Sequence, residues 1–156
     1  MAVRSNNTDI IASFAMKAEE IMHNDAINIF TKLANTVLNY AQTRHTFKNQ
    51  TFNLEDSYGY AIYYNGSIVK KTLSDSMASK PKIYDFEVWN GRDAANSFLD
   101  RYPAEDGYTL VVVAGMFYAE WVEKIHRLDV LTGSFNLAQT EIEKLFKKIP
   151  EINYNI

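Results

Sequence analysis

Two Glu-x-x-His pairs, Glu20 with His23 and Glu123 with His126, are the arrangement in this sequence with most potential for chemistry. Three residues apart on a helix, a carboxylate and an imidazole share one face. Two such pairs, joined by a further glutamate from each of two other helices, form the ligand set of carboxylate-bridged di-iron bundles. The chain between the pairs does not read as two more helices. It contains a β-hairpin signal and a β-branched strand, so ordinary i,i+3 contacts are the simpler reading, and neither metal nor cofactor is expected.

Other catalytic chemistries lack their residues. The 156-residue chain has no cysteine, which removes thiol nucleophiles, thiolate metal sites, iron–sulfur clusters and disulfides. There is no Gly-x-Ser-x-Gly elbow, and the six glycines fall singly, as turn punctuation, with neither a Gly-x-Gly-x-x-Gly nor a Walker sequence. Glu19/Glu20 and Glu141/Glu143 are close carboxylates, but on expected solvated helix faces. General acid–base work would require burial to shift a pKa. The sequence therefore reads as non-enzymatic. An enzyme using Glu120, Glu123 or His126 in a pocket of the sheet is the least favoured alternative.

Charge excludes further classes. Sixteen basic against 19 acidic residues leave a net charge of −3, without the basic surface that nucleic-acid binding needs. Lys70-Lys71 falls on a hairpin, where lysines blunt an edge strand. Lys144, Lys147 and Lys148 complement the C-terminal dipole of a helix. No sequence-specific nucleic-acid contact is expected. The longest apolar run, Leu110 to Phe117, is far shorter than the ~20 residues that span a bilayer. Met1 to Asn7 lacks the apolar stretch of a signal peptide, so no membrane partner is expected and the chain reads as made in a cytoplasm. With 47% hydrophobic and 22% charged residues and no internal repeat, residues 1–156 read as one domain.

The elements follow from periodicity. From about residue 8 to 43 there is neither Gly nor Pro, and apolar residues recur at Ile11, Phe14, Ala18, Ile21/Met22, Ala26, Ile29/Phe30, Leu33, Val37 and Tyr40/Ala41. A helix of that length reaches roughly 50 Å. It either breaks at the weak formers His23-Asn24-Asp25 or projects towards neighbours. Residues 57–73 are two runs of strand formers around Asn65-Gly66, the signature of a type I′ hairpin. Lys82 to Trp89 alternates as an extended segment. A short helix follows Asn90-Gly91 to about Arg101, with Ala94, Ala95, Phe98 and Leu99 on one side. Tyr108 to Ala114 reads as a buried strand because its apolar residues are contiguous. Met116 to His126 is open between strand and helix. A last helix runs from Ser134 to about Lys148, with Leu137, Ile142, Leu145, Phe146 and Ile149 inward, and Pro150 stops it. The predicted class is α+β: a long N-terminal helix, a small mostly antiparallel sheet with a hairpin, and short middle and C-terminal helices over about 57–149.

Ten Tyr, nine Phe and two Trp make 13% of the chain, and they concentrate in two patches. Tyr58, Tyr60, Tyr63 and Tyr64 lie on the first hairpin strand. There Tyr58, Tyr60 and Ile62 point one way and Ala61 and Tyr63 the other, so each face meets either core or a partner. Met116 to Val122 holds Phe117, Tyr118 and Trp121. Tyr and Trp join apolar area to a polar handle, which suits an interface as well as a core.

At these residues the layout resembles the tail-completion, or neck, family of tailed bacteriophages. Members begin with a long helix, pass a Thr-Gly-x-Leu-x-x-Ser-like segment into a hairpin, carry a strand ending in a Tyr-Ala-x-x-Val-Glu-Gly-like motif, and close with a helix. Here the first motif reads Thr51-Phe52-Asn53-Leu54-Glu55-Asp56-Ser57 and the second Val113-Ala114-Gly115-Met116-Phe117-Tyr118-Ala119-Glu120-Trp121-Val122-Glu123. Phe52 and Lys124 stand where the family usually has Gly, and the Pro-rich stretch often found before the last helix is missing. The resemblance implies a virion protein of the head–tail joint, a homo-oligomeric ring between portal or connector and tail proteins, without catalytic site or cofactor. The expected subunit-interface residues are Tyr63, Tyr64, Asn65 and Gly66 at the hairpin, and Tyr118, Trp121 and Glu123 in the second motif. A small α+β binding or assembly module unrelated to phage is the alternative.

Overall fold

The computed structural model describes residues 5–44, 46, 54, 57–74, 91–116, 119–126 and 129–146, with side chains from residue 10 onward except at 121, 122, 126 and 146. The expected extended segment at 82–89 and Tyr118 lie outside the described residues. The architecture is α+β. In chain order it comprises α1 (Ser5–Arg44), β1 (Tyr58–Tyr64), β2 (Ser67–Leu73), α2 (Gly91–Arg101), β3 (Tyr108–Ala114), α3 (Ala119–His126) and α4 (Thr132–Phe146). Residues 116–126, open in the sequence, form a helix from Ala119 onward.

The sheet has the order β2-β1-β3 and is antiparallel throughout. Asn65 and Gly66 both have positive φ, at 48° and 77°, so the expected type I′ turn joins β1 to β2. β1 is the central strand, and both of its faces are covered by the chain itself. Tyr58, Tyr60 and Ile62 pack with Ala34, Leu38 and Ala41 of α1 and with Val130 before α4. Ala61 and Tyr63 pack with Ala95 and Leu99 of α2 and Val113 of β3. The two-sided aromatic strand is thus a doubly covered core strand.

β3 differs from the sequence expectation. It pairs only with β1 among the described residues, and only Val113 in it is fully buried. Its contiguous apolar run arises because Leu110 and Val112 face α1 and Val111 and Val113 face α2. Both faces are partly covered, and among the described residues the outer edge has no strand partner.

α1 is continuous through His23-Asn24-Asp25, since neither Pro nor Gly interrupts its hydrogen-bond ladder. Its 40 residues extend about 60 Å, longer than the ~40 Å diameter of a compact domain of this size. Leu33, Ala34, Val37, Leu38 and Ala41 are buried, whereas every described side chain from Ile10 to Met22 is exposed. Of the two outcomes left open by the sequence, the helix projects.

α2 meets the end of β3 at Gly115. A Cβ there would overlap the Gly91 carbonyl oxygen and stand 2.5 Å from the Ala95 amide nitrogen, both backbone atoms that cannot rotate aside. Gly115→Ala is therefore expected to cost about 2 kcal/mol through overpacking. Gly107→Ala, where φ is +87° and nothing lies within 4 Å, should cost only the left-handed penalty of about 1 kcal/mol. Urea unfolding of the two variants checks the order; equal midpoints would contradict it.

Candidate subunit interface

The expected interface residues separate once placed in the fold. Tyr63 is 1% exposed. Its hydroxyl donates to the Leu99 carbonyl oxygen at 2.6 Å, and its ring lies 5.7 Å from that of Tyr102. Burial, with Asp100 and Tyr102 nearby, pushes its phenol pKa up, which keeps the donor protonated. This side chain fixes α2 to the sheet inside the chain.

Tyr64 is 38% exposed and lies at the point where α1 leaves the body. Its ring is 4.6 Å from His23, edge to face, and 4.7 Å from Tyr108. His23 Nδ1 and the Tyr108 hydroxyl share a hydrogen bond of 2.6 Å, and Phe30 stacks on Tyr108 at 5.7 Å. Burial and the neighbouring Tyr64 raise the Tyr108 pKa, which keeps the phenol protonated; the direction of its bond with Nδ1 follows the His23 tautomer. The cluster clamps α1 one helical position beyond Met22, the last of the exposed run.

Asn65 and Gly66 are exposed, but the turn is held by the chain. The Asn65 amide donates to the Gly107 carbonyl at 3.0 Å, and the Gly107 amide donates to Asn65 Oδ1 at 2.9 Å. The hairpin tip is therefore fixed to the turn before β3.

In the second patch, the side chain of Trp121 lies outside the described residues, as does all of Tyr118. Glu123 on α3 turns towards the start of α4. Its Oε1 accepts from the Leu131 amide at 3.2 Å and the Thr132 amide at 2.7 Å. Asp129 Oδ1 accepts from the Gly133 amide at 2.9 Å. Two carboxylates thus take the amide hydrogens that the first turn of α4 leaves without helical partners. Burial pushes the Glu123 carboxyl up, but hydrogen bonds from Thr132, Leu131 and Val130 outweigh it and hold the carboxyl below its ordinary range. Glu20 and His23 lie on the projecting part of α1 and its clamp, and no group of three His, Asp or Glu that could hold a metal is found among the described residues.

Among the described residues, the surfaces without a partner lie elsewhere. On α1, Ile10, Ile11, Phe14, Ile21 and Met22 are large, apolar and 48–70% exposed. At about 100° per residue, they and Ala18 form a stripe centred roughly 120° round the helix from the buried seam of Leu33, Val37 and Ala41. A second surface is concave. Two hollows of about 280 and 660 Å³ lie between α1, the outer edge of β3 and α4, and both are lined by Leu33 and Ile142. They make one trough with Leu110 and Val112 on its floor and Phe135 and Ala138 on its wall.

Sequence spacing identifies the ridge residues but not their direction. The trough has no local signature, because α1, β3 and α4 meet only in the folded chain. Among the described residues, no helix is long and apolar enough to cross a membrane. Compared with family models, curated proteins and solved structures, the chain matches none.

Two outcomes follow for stability. Glu123→Gln should cost about 1 kcal/mol as a weakened cap at neutral pH. Because the folded-state pKa is lowered, the carboxylate's contribution is full above the ordinary value of 4.5 and is lost as pH falls through the folded value. Chemical denaturation from pH 7 to 3 should therefore show the variant and wild type converging in acid; a constant gap would contradict the charged cap. Phe14→Glu, by contrast, should leave the unfolding free energy within about 0.5 kcal/mol of wild type, as an exposed position does.

Proposed function

We propose that this chain is a non-enzymatic structural subunit of a phage head–tail joint, forming a ring between the portal or connector and the tail. The observation that carries the reading is the unpartnered apolar ridge on the projecting half of α1. An exposed stripe of five large apolar side chains marks a surface meant for contact, and a helix extending past its own body places that surface within reach of a neighbour.

A ring requires heterologous contacts, in which one face of a subunit meets a different face of the next. The chain supports this with two unlike surfaces, the convex ridge and the concave trough. The order of elements agrees with the family pattern: a long helix, a hairpin, a strand leading into the Ala119–Glu123 segment, and a closing helix. Glu123 and the hairpin turn make internal contacts that hold the subunit rigid, as a load-carrying ring needs.

The test is genetic and particle-based. The coding sequence should lie among portal, capsid and tail genes, and its deletion should yield filled heads and free tails that fail to join, counted by negative-stain microscopy. Complementation with the wild-type chain should restore joined particles. A toxin or metabolic operon around the gene, or normally joined particles after deletion, overturns the reading.

A further inference from the structure

We infer that the ridge on α1 docks in the trough of a second copy of this chain, so that one repeated contact covers both unpartnered apolar surfaces. The inference deepens the ring reading by naming its contact, and rests on that reading only for closure into a cycle.

No described residue outside α1 covers the ridge. Ala26, Ile29, Phe30 and Leu33 of the trough lie on the same continuous helix as the ridge, one to three turns further along. An uninterrupted helix cannot fold back on itself, so a chain cannot place its own ridge in its own trough. The five ridge side chains, 48–70% exposed, carry on the order of 100 Å² each, about 500 Å² before Ala18 and neighbouring stems are added. A stable interface needs about 800 Å² per partner.

Charge selects among occupants. Residues 5–25 hold Asp9, Glu19, Glu20 and Asp25 against Lys17 alone. Helices that lie on anionic membranes carry lysines and arginines on the polar face, so this one is repelled from such a surface. The same acidic excess opposes side-by-side parallel pairing of two ridges. The trough carries a single charged side chain in its lining, Glu143, and offers an apolar floor of Leu110 and Val112 beside Phe135, which is 62% exposed. It also runs along the outer edge of β3, which has no strand partner among the described residues. A helix laid there covers the edge, a common protection for open strands. Ridge residues at 10/11, 14, 18 and 21/22 have the spacing of a helix-in-groove anchor set. A foreign partner on the ridge alone would leave the trough and the β3 edge uncovered; a second copy covers all three.

The experiment uses the full chain in sedimentation velocity from low micromolar to near-millimolar concentration. Wild type should associate with rising concentration. Phe14→Glu on the ridge and Phe135→Glu on the trough wall, both at exposed positions, should each weaken association on the order of 100-fold. An equimolar mixture of the two variants carries one intact ridge and one intact trough, and should form a one-to-one dimer that grows no further. Circular dichroism on each variant checks that it is folded, and Ala138→Glu provides a second trough variant.

Three results overturn the inference: wild type monomeric at every concentration, trough variants associating like wild type, or the mixture gaining nothing over its components. The second result would indicate ridge-on-ridge pairing. If association follows the expected pattern but deletion of the gene leaves joined particles, the contact stands and the head–tail reading falls. If association fails while deletion separates heads from tails, the contact alone falls.

Discussion

Three phenol hydroxyls on β1 must find acceptors away from water, and they find them on three different elements. Tyr58 donates to the Val130 carbonyl at 3.2 Å, Tyr60 to Asn35 Oδ1 at 3.1 Å and Tyr63 to the Leu99 carbonyl at 2.6 Å. A buried hydroxyl left without a partner costs about 1–3 kcal/mol. The strand is therefore satisfied only when α1, α2 and the segment before α4 are all seated. Period-two alternation sends Tyr58 and Tyr60 to one face and Tyr63 to the other. One seven-residue strand thereby sets the placement of helices on both sides of the sheet.

That constraint also determines what is left over. Seating Asn35 against Tyr60 and Leu38 against the sheet fixes the rotation of α1, and so the direction of every residue on it. With the helix uninterrupted from Ser5 to Arg44, the ridge has to face where it does. The same seating brings α4 against α1, and among the described residues the outer edge of β3 has no strand partner. The convex and concave surfaces are both products of how β1 is buried.

Much of the fold was legible because local rules and tertiary packing agree. Asn65-Gly66 demands positive φ and forms the turn; Ala95 and Leu99 lie four apart and are the buried seam of α2. Disagreement arises where a residue has two uses. The run from Leu110 to Val113 signals apolar contact on both faces, which a central strand and an edge strand between helices share, and only pairing decides. Phe98 belongs to the apolar side of α2 by spacing but is half exposed, because Tyr63 and Tyr102 already fill the space beside Leu99. Glu123 resembles an interface residue in its motif, yet caps α4 eight residues later, a contact set by the short turn between the two helices. Tyr63 and Tyr64 are adjacent in sequence and have opposite surroundings, core and clamp. The trough depends on three elements far apart in the chain and had no sequence signal.

The long helix also has a gradient of stability along its length. Its costly first turn can form where the body holds it, around Leu33 to Ala41, and added turns then need only propagation, one hydrogen bond for each residue fixed. Beyond the His23–Tyr108 clamp no tertiary contact among the described residues supports the growing end, so each further turn towards Ser5 draws chiefly on intrinsic propensity. Amide protection should fall off towards that end in the isolated chain, with the clamp as its inflection, while the ridge borrows its helical order from the body to which it is attached.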